Sequence, residues 1–136
     1  MAKIRIYVSH SIRGKYGKDA TDEQMAENNE KAKRFAQRLR GVFPTIEFYV
    51  PGEHDEFVLI AYRKGILTEE QILKCDCLII NTCNLLINYI PDNYVSRGMW
   101  VENAHAGCLG IPVISITSDL SDLKEIHHYL DMLKRG

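Results

Sequence analysis

A carboxylate introduced by a Ser-x-Gly turn is the feature of this chain best suited to chemistry. Glu102 lies in the run Ser96-Arg97-Gly98-Met99-Trp100-Val101-Glu102-Asn103-Ala104-His105-Ala106. Serine is a preferred helix cap, so Glu102 falls in the second turn of the helix expected over 98–109. In an α/β sheet such a helix brings Glu102 to the carboxyl edge of the strands, where ligands gather. A helix N-terminus also attracts anions such as phosphate. A carboxylate beside an anion site suits a nucleophile acting on a phosphorylated sugar. The plain alternative is a solvated glutamate favoured by the helix dipole.

A second polar cluster, Ser11-Ile12-Arg13-Gly14, follows the first apolar run. The planar guanidinium of Arg13 matches a phosphate with two parallel hydrogen bonds. The hydroxyls of Ser11 and Ser96 are further donors, although Ser96 serves equally well as a helix cap. His10 is either a phosphate ligand, a proton shuttle or an ordinary loop histidine. His105, three residues after Glu102, reads more simply as structural. Trp100 either stacks on a base or, more simply, packs in the core or an interface.

The elements that would position these groups alternate between strand and helix, the pattern of an α/β domain. A strand is predicted over 3–8, then a polar loop over 9–20. Thr21-Asp22-Glu23-Gln24 is a capping box. The helix behind it carries Met25, Asn28, Ala32, Phe35, Ala36 and Leu39 on one face and ends near Gly41 and Pro44. A second strand covers 46–50, and 57–62 leans towards helix. Thr68-Glu69-Glu70-Gln71 is a second capping box, predicted to open a short helix to about Lys74. The apolar run 76–81 reads as a central strand, followed by a long functional loop over 82–95. Gly110 suits the C-terminal cap of the helix that carries Glu102. A fourth strand covers 113–116. Ser118 or Ser121 would cap a last helix to about Lys134. The expected fold is a flavodoxin-like or Rossmann-like sandwich, residues 1–136 forming one domain around a four- to five-stranded, mostly parallel sheet.

The chain has 136 residues, 46% hydrophobic and 26% charged, with a formal net charge of -1. That balance gives no broad electrostatic footprint for a nucleic-acid polymer or a membrane surface. No apolar run reaches the ~20 residues of a membrane span, and the charged, alternating N-terminus reads as a strand, so the expected location is the cytoplasm. Cys75, Cys77, Cys83 and Cys108 lack a zinc spacing and are expected to be reduced and buried.

Two segments together resemble the deoxynucleoside 5′-monophosphate N-glycosidases of the nucleoside 2-deoxyribosyltransferase superfamily. Tyr7-Val8-Ser9-His10-Ser11-Ile12-Arg13-Gly14 is similar to their strand-then-loop signature Tyr-x-x-Gly-Ser-Ile-Arg-Gly. Ser96-x-Gly98-x-x-x-Glu102, with Ala106 and Gly110-Ile111-Pro112-Val113 behind it, is similar to their Ser-x-Gly-x-x-x-Glu…Ala…Gly-Lys-Pro-Val. The resemblance implies that Glu102 is the nucleophile at the anomeric carbon, with Tyr7 beside it. It implies that Ser11, Ile12, Arg13 and Gly14 hold the 5′-phosphate, joined by Ser96 and Gly98. It further implies a nucleotide substrate, no cofactor and a homodimer in which the neighbouring subunit completes the site.

The chain departs from that pattern in four places. His10 replaces a glycine. Met99-Trp100-Val101 is bulkier than its counterpart. The loop over 82–95 is long. The aspartate expected in the helix before the third strand, counted back from Asp76, falls on Thr68, which leaves Glu69 or Asp55 as the general acid. The expected reaction is hydrolysis or transfer at the N-glycosidic bond of a nucleoside 5′-monophosphate, by two-carboxyl chemistry. Ser9-His10-Ser11 and Ser96…Trp100…Glu102 also resemble, more loosely, a TIR-like NAD glycohydrolase. A non-catalytic nucleotide-binding or signalling module is the third reading.

Overall fold

The computed structural model describes residues 3–117 and 123–135. Its sheet has four parallel strands, β1 (Arg5–Ser9), β2 (Glu47–Tyr49), β3 (Leu85–Tyr89) and β4 (Val113–Ile116), in the order β2-β1-β3-β4. Five helices flank it: α1 (Asp22–Val42), α2 (Asp55–Arg63), α3 (Glu69–Ile80), α4 (Arg97–Cys108) and α5 (Leu123–Arg135). This is the expected flavodoxin-like sandwich.

Strand alternation sorts the core into two layers. Ile6, Val8, Leu85, Ile87, Ile114 and Ile116 face Ala32, Phe35, Ala36 and Leu39 of α1 and Ile126 and Leu130 of α5. On the opposite face, Tyr7 and Leu86 meet Ile80 of α3 and Ala106 of α4. Each fully buried leucine or isoleucine contributes about 1.5–3 kcal/mol. These two layers therefore fix which helix can approach which end of the sheet.

Both capping boxes form as expected. Thr21 and Thr68 each accept from the backbone of Gln24 and Gln71 at 3.1 Å, and each glutamine returns the bond. Helix α1 runs past Gly41 to Val42, and the leaning towards helix at 57–62 is borne out by α2. The polar loop after β1 contains a short 3-10 helix over Gly14–Asp19. Gly110 adopts φ +72°, the left-handed conformation of a helix terminus. The proposed caps Ser118 and Ser121 lie outside the described residues.

One segment is corrected. The run 76–81 is not a strand: α3 continues through it to Ile80. Leu73, Asp76, Cys77 and Ile80 fall at i, i+3, i+4 and i+7, and all four are partly or fully buried. That is one face of a helix, and no glycine or proline interrupts it after the capping box. The central strand is instead β3, inside the supposed loop over 82–95. All five of its residues are buried, as a strand covered on both faces requires. The cysteines are all free, but Cys75 and Cys108 are exposed, not buried, because they lie on the outer surfaces of α3 and α4. No helix among the described residues is long and apolar enough to cross a membrane.

Candidate active site

The order β2-β1-β3-β4 makes the gap between β1 and β3 the topological switch point, the usual position for a ligand in an open parallel sheet. The register pairs Ser9 with Asn88 at the carboxyl ends of these strands. Both are buried polar residues, and both meet α4. The Ser9 hydroxyl donates to Glu102 Oε1 at 2.7 Å. Asn88 Nδ2 donates to Asn103 Oδ1 at 2.7 Å, and Asn103 returns the bond at 2.9 Å. Two consecutive residues of α4 are thus tied to two adjacent strands, which fixes the helix and its carboxylate on the sheet edge.

Glu102 is only 4% exposed. Its second oxygen accepts a short hydrogen bond from the Tyr7 hydroxyl. Burial pushes the carboxyl above its ordinary range, while the bonds from Tyr7 and Ser9 pull it back by favouring the ionised form. Burial and the Glu102 charge together hold the Tyr7 phenol well above its usual value, so it remains a donor. Tyr49 stacks on Tyr7 at 5.6 Å between ring centroids, and His54 stacks on Tyr49 at 5.1 Å. The carboxylate therefore has an aromatic flank.

A second carboxyl stands within electrostatic reach. Asp76 of α3 is pushed up to about 7, first by burial and then by repulsion from Glu102. A buried carboxyl held by two donors, beside a second carboxyl pushed towards neutrality, can divide acid and base roles. Sequence reasoning missed Asp76 because the strand was misplaced. Counted back the same eight residues from Leu85, the first residue of the true third strand, the position falls on Cys77, next to Asp76. Glu69 sits exposed in the first turn of α3. Asp55 lies beside Lys33 at 3.6 Å and Asn29 at 3.4 Å. Asp76 is the acid of α3 that the Glu102 charge raises.

The loop after β1 is organised by its own polar groups. The Gly14 N–H donates to Ser11 Oγ at 2.8 Å, and Asn28 Nδ2 donates to the Ile12 carbonyl at 3.0 Å. Gly14 has φ +62°, and a Cβ there would stand 2.9 Å from Asn28 Nδ2, so no other residue fits. Ser11, Gly14, Asn28 and Lys31 face Tyr89, Pro91, Asp92 and Tyr94 across a cleft of about 90 Å³ at the switch point. Arg13 caps the 3-10 helix, half-buried, with no hydrogen bond or ion pair among the described residues. Ser96 does the work of a helix cap, accepting from Met99 N at 3.2 Å. Gly98 lies against α3, where a Cβ would meet Leu73 at 3.4 Å. Trp100 is 66% exposed, which rules out the core and leaves an interface or a base as its partner, while Met99 takes the buried position. His105 binds Asn81 at 2.6 Å and is structural.

His10 lines the same cleft, yet its Nε2 accepts the Gly52 N–H at 2.9 Å. The ring is therefore neutral with its proton on Nδ1, a buried donor with no hydrogen-bond partner among the described residues. A Cβ on Gly52 would stand 2.9 Å from the ring, which explains the glycine. Burial lowers His10 from 6.5 to about 4, only partly opposed by the Ser11 backbone. The folded protein prefers the neutral ring, so its contribution to stability is full above pH 6.5 and is lost as pH falls towards about 4. The shift corresponds to about 3 kcal/mol. Urea midpoints should fall across that window in the wild type and stay flatter in His10→Gln, whose amide still accepts from Gly52. Parallel slopes in both proteins would remove His10 as the cause.

Searches of known protein families, curated proteins and solved structures return no match to this chain.

Proposed function

We propose that this protein cleaves the N-glycosidic bond of a nucleoside 5′-monophosphate, by hydrolysis in preference to transfer. The observation that carries the reading is the buried Glu102 carboxyl fixed by Tyr7 and Ser9, with the half-buried Asp76 pushed up to about 7 by burial and by the Glu102 charge. The anomeric carbon meets the Glu102 carboxylate as the carbon–nitrogen bond breaks. Asp76 gives its proton to the departing base nitrogen. Water then attacks the sugar–Glu102 ester and yields its proton to the Asp76 carboxylate, which restores both groups. Tyr7 is a positioning residue, since its hydroxyl is spent on Glu102. The resemblance to the deoxynucleoside 5′-monophosphate N-glycosidases supports the same role for Glu102, and Asp76 is the candidate for their aspartate.

The phosphate would sit at the Ser11–Gly14 turn, within reach of Arg13, which has no ion pair among the described residues. The homodimer implied by the resemblance is likewise a proposal, and the particle mass in solution, by sedimentation, decides it.

The test is chromatography of free base after incubation with the deoxyribo- and ribonucleoside monophosphates, the free nucleosides and NAD. One monophosphate should release base faster than its nucleoside, and Arg13→Ala should narrow that ratio about tenfold by removing one charge-assisted contact. Equal rates on nucleoside and monophosphate in the wild type would remove the phosphate role of this loop. Nicotinamide from NAD alone would instead assign the site to a TIR-like NAD glycohydrolase.

A further inference from the structure

We infer that the ligand of this site carries linked phosphates beyond the first, held by Lys31 and Arg34 on the outer face of α1. The inference rests on reading the switch-point cleft as a nucleotide site, and it extends the substrate class from the monophosphate to nucleoside polyphosphates. The cleft does not end at Lys31. A second hollow of about 230 Å³ shares Lys31, Tyr89 and Pro91 with it and continues past Arg34 and Arg38.

Residues 31, 34 and 38 are spaced i, i+3 and i+7, so they share one helix face. At about 1.5 Å rise per residue Lys31 and Arg34 stand roughly 4.5 Å apart along the axis, within reach of two linked phosphates. In a protein of net charge -1 this is a local concentration of cations. Arg34 has no hydrogen bond or ion pair among the described residues. Among the described residues Lys31 meets only Glu27, at 3.6 Å near the surface, a pair that contributes little and can be exchanged for a phosphate. The floor is rigid, because Tyr89 stacks on the buried Phe35 with centroids 4.2 Å apart.

The neighbouring carboxylates give the groove its direction. Asp92 stands at the Gly14 end, where its oxygen would be 3.8 Å from a Cβ on that glycine. It opposes any build-up of charge beside the first phosphate. Glu30 is engaged by Lys33 at 3.4 Å. The favourable path for additional negative charge therefore leads away from Asp92, along α1.

Calorimetric titration of the wild type, Lys31→Ala and Arg34→Ala with inorganic tripolyphosphate and with orthophosphate tests this directly. The wild type should bind tripolyphosphate at least about tenfold more tightly, and each substitution should bring the two ligands to within about threefold. Equal affinities in the wild type, or a ratio unchanged in both variants, would overturn the inference. So would a single-stranded oligonucleotide that binds more tightly than tripolyphosphate through the same residues. Base release is followed in parallel from a nucleoside mono- and triphosphate. Tripolyphosphate selectivity without base release from any nucleotide would leave the groove standing and end the glycosidase reading. Base release from the monophosphate without that selectivity would do the reverse.

Discussion

Glu102→Gln is expected to lower base release by at least about a thousandfold while the protein stays folded. The glutamine keeps the volume of the buried side chain. Its carbonyl oxygen can still accept from Tyr7, and its amide can donate to the Ser9 hydroxyl, so the two bonds that now hold the carboxylate survive in altered form. What disappears is the negative charge that meets the sugar cation. Glu102→Ala removes the same charge but leaves two buried hydroxyls without a partner, at about 2 kcal/mol in stability. The pair separates chemistry from folding: both variants should be inactive, and only the alanine should unfold at lower urea. Turnover in Glu102→Gln within about tenfold of the wild type would end the assignment of Glu102 as nucleophile. An inactive variant with reduced urea stability like that of Glu102→Ala would leave only a structural role for the side chain.

Much of the scaffold is legible in the chain because it depends on local chemistry. Thr21…Gln24 and Thr68…Gln71 start helices wherever they occur, and Gly110 ends one for the reason any positive-φ residue does. The failure at residues 76–89 is equally physical. Four apolar residues in a row, Cys77 to Ile80, satisfy a buried strand and a helix alike, so the run itself does not decide. Its flanks do. Helix α3 has a capping box and no breaker, whereas Leu85-Leu86-Ile87-Asn88-Tyr89 is set off by Asn81, Asn84 and Pro91. Once the strand moves, Asp76 becomes the one acidic residue on the inward stripe of α3, and an acid in an apolar stripe is a signal in its own right. The Ser9–Glu102 bond is different in kind. It joins residues 93 apart and depends on the register of β1 against β3, which no local pattern encodes.

Asp76→Asn carries the second large effect, and it runs in opposite directions for activity and stability. In the folded protein the carboxyl is protonated below about 7, so the acid form needed by the leaving base is present at neutral pH and fades above it. Turnover should therefore fall towards tenfold per pH unit on the alkaline side in the wild type. Asp76→Asn should remove that limb and lower the rate roughly a hundred- to ten-thousand-fold. A nucleotide analogue whose leaving group departs without a proton should largely escape the loss, because only the protonation step has been taken away. Stability moves the other way. A carboxyl raised from 3.8 to about 7 on folding costs nothing below the lower value, costs more as pH rises between them, and costs its full amount above the upper one. Allowing for its partial exposure to solvent, that amount is about 2–3 kcal/mol. Asp76→Asn should accordingly be more resistant to urea than the wild type at pH 8 and indistinguishable from it near pH 4. A variant less stable at both pH values, or one that loses the activated analogue as fully as the natural nucleotide, would place Asp76 in the packing of α3 and remove it from the chemistry. The combination expected here, a gain in stability with a loss selective for poor leaving groups, is one that a structural residue does not produce.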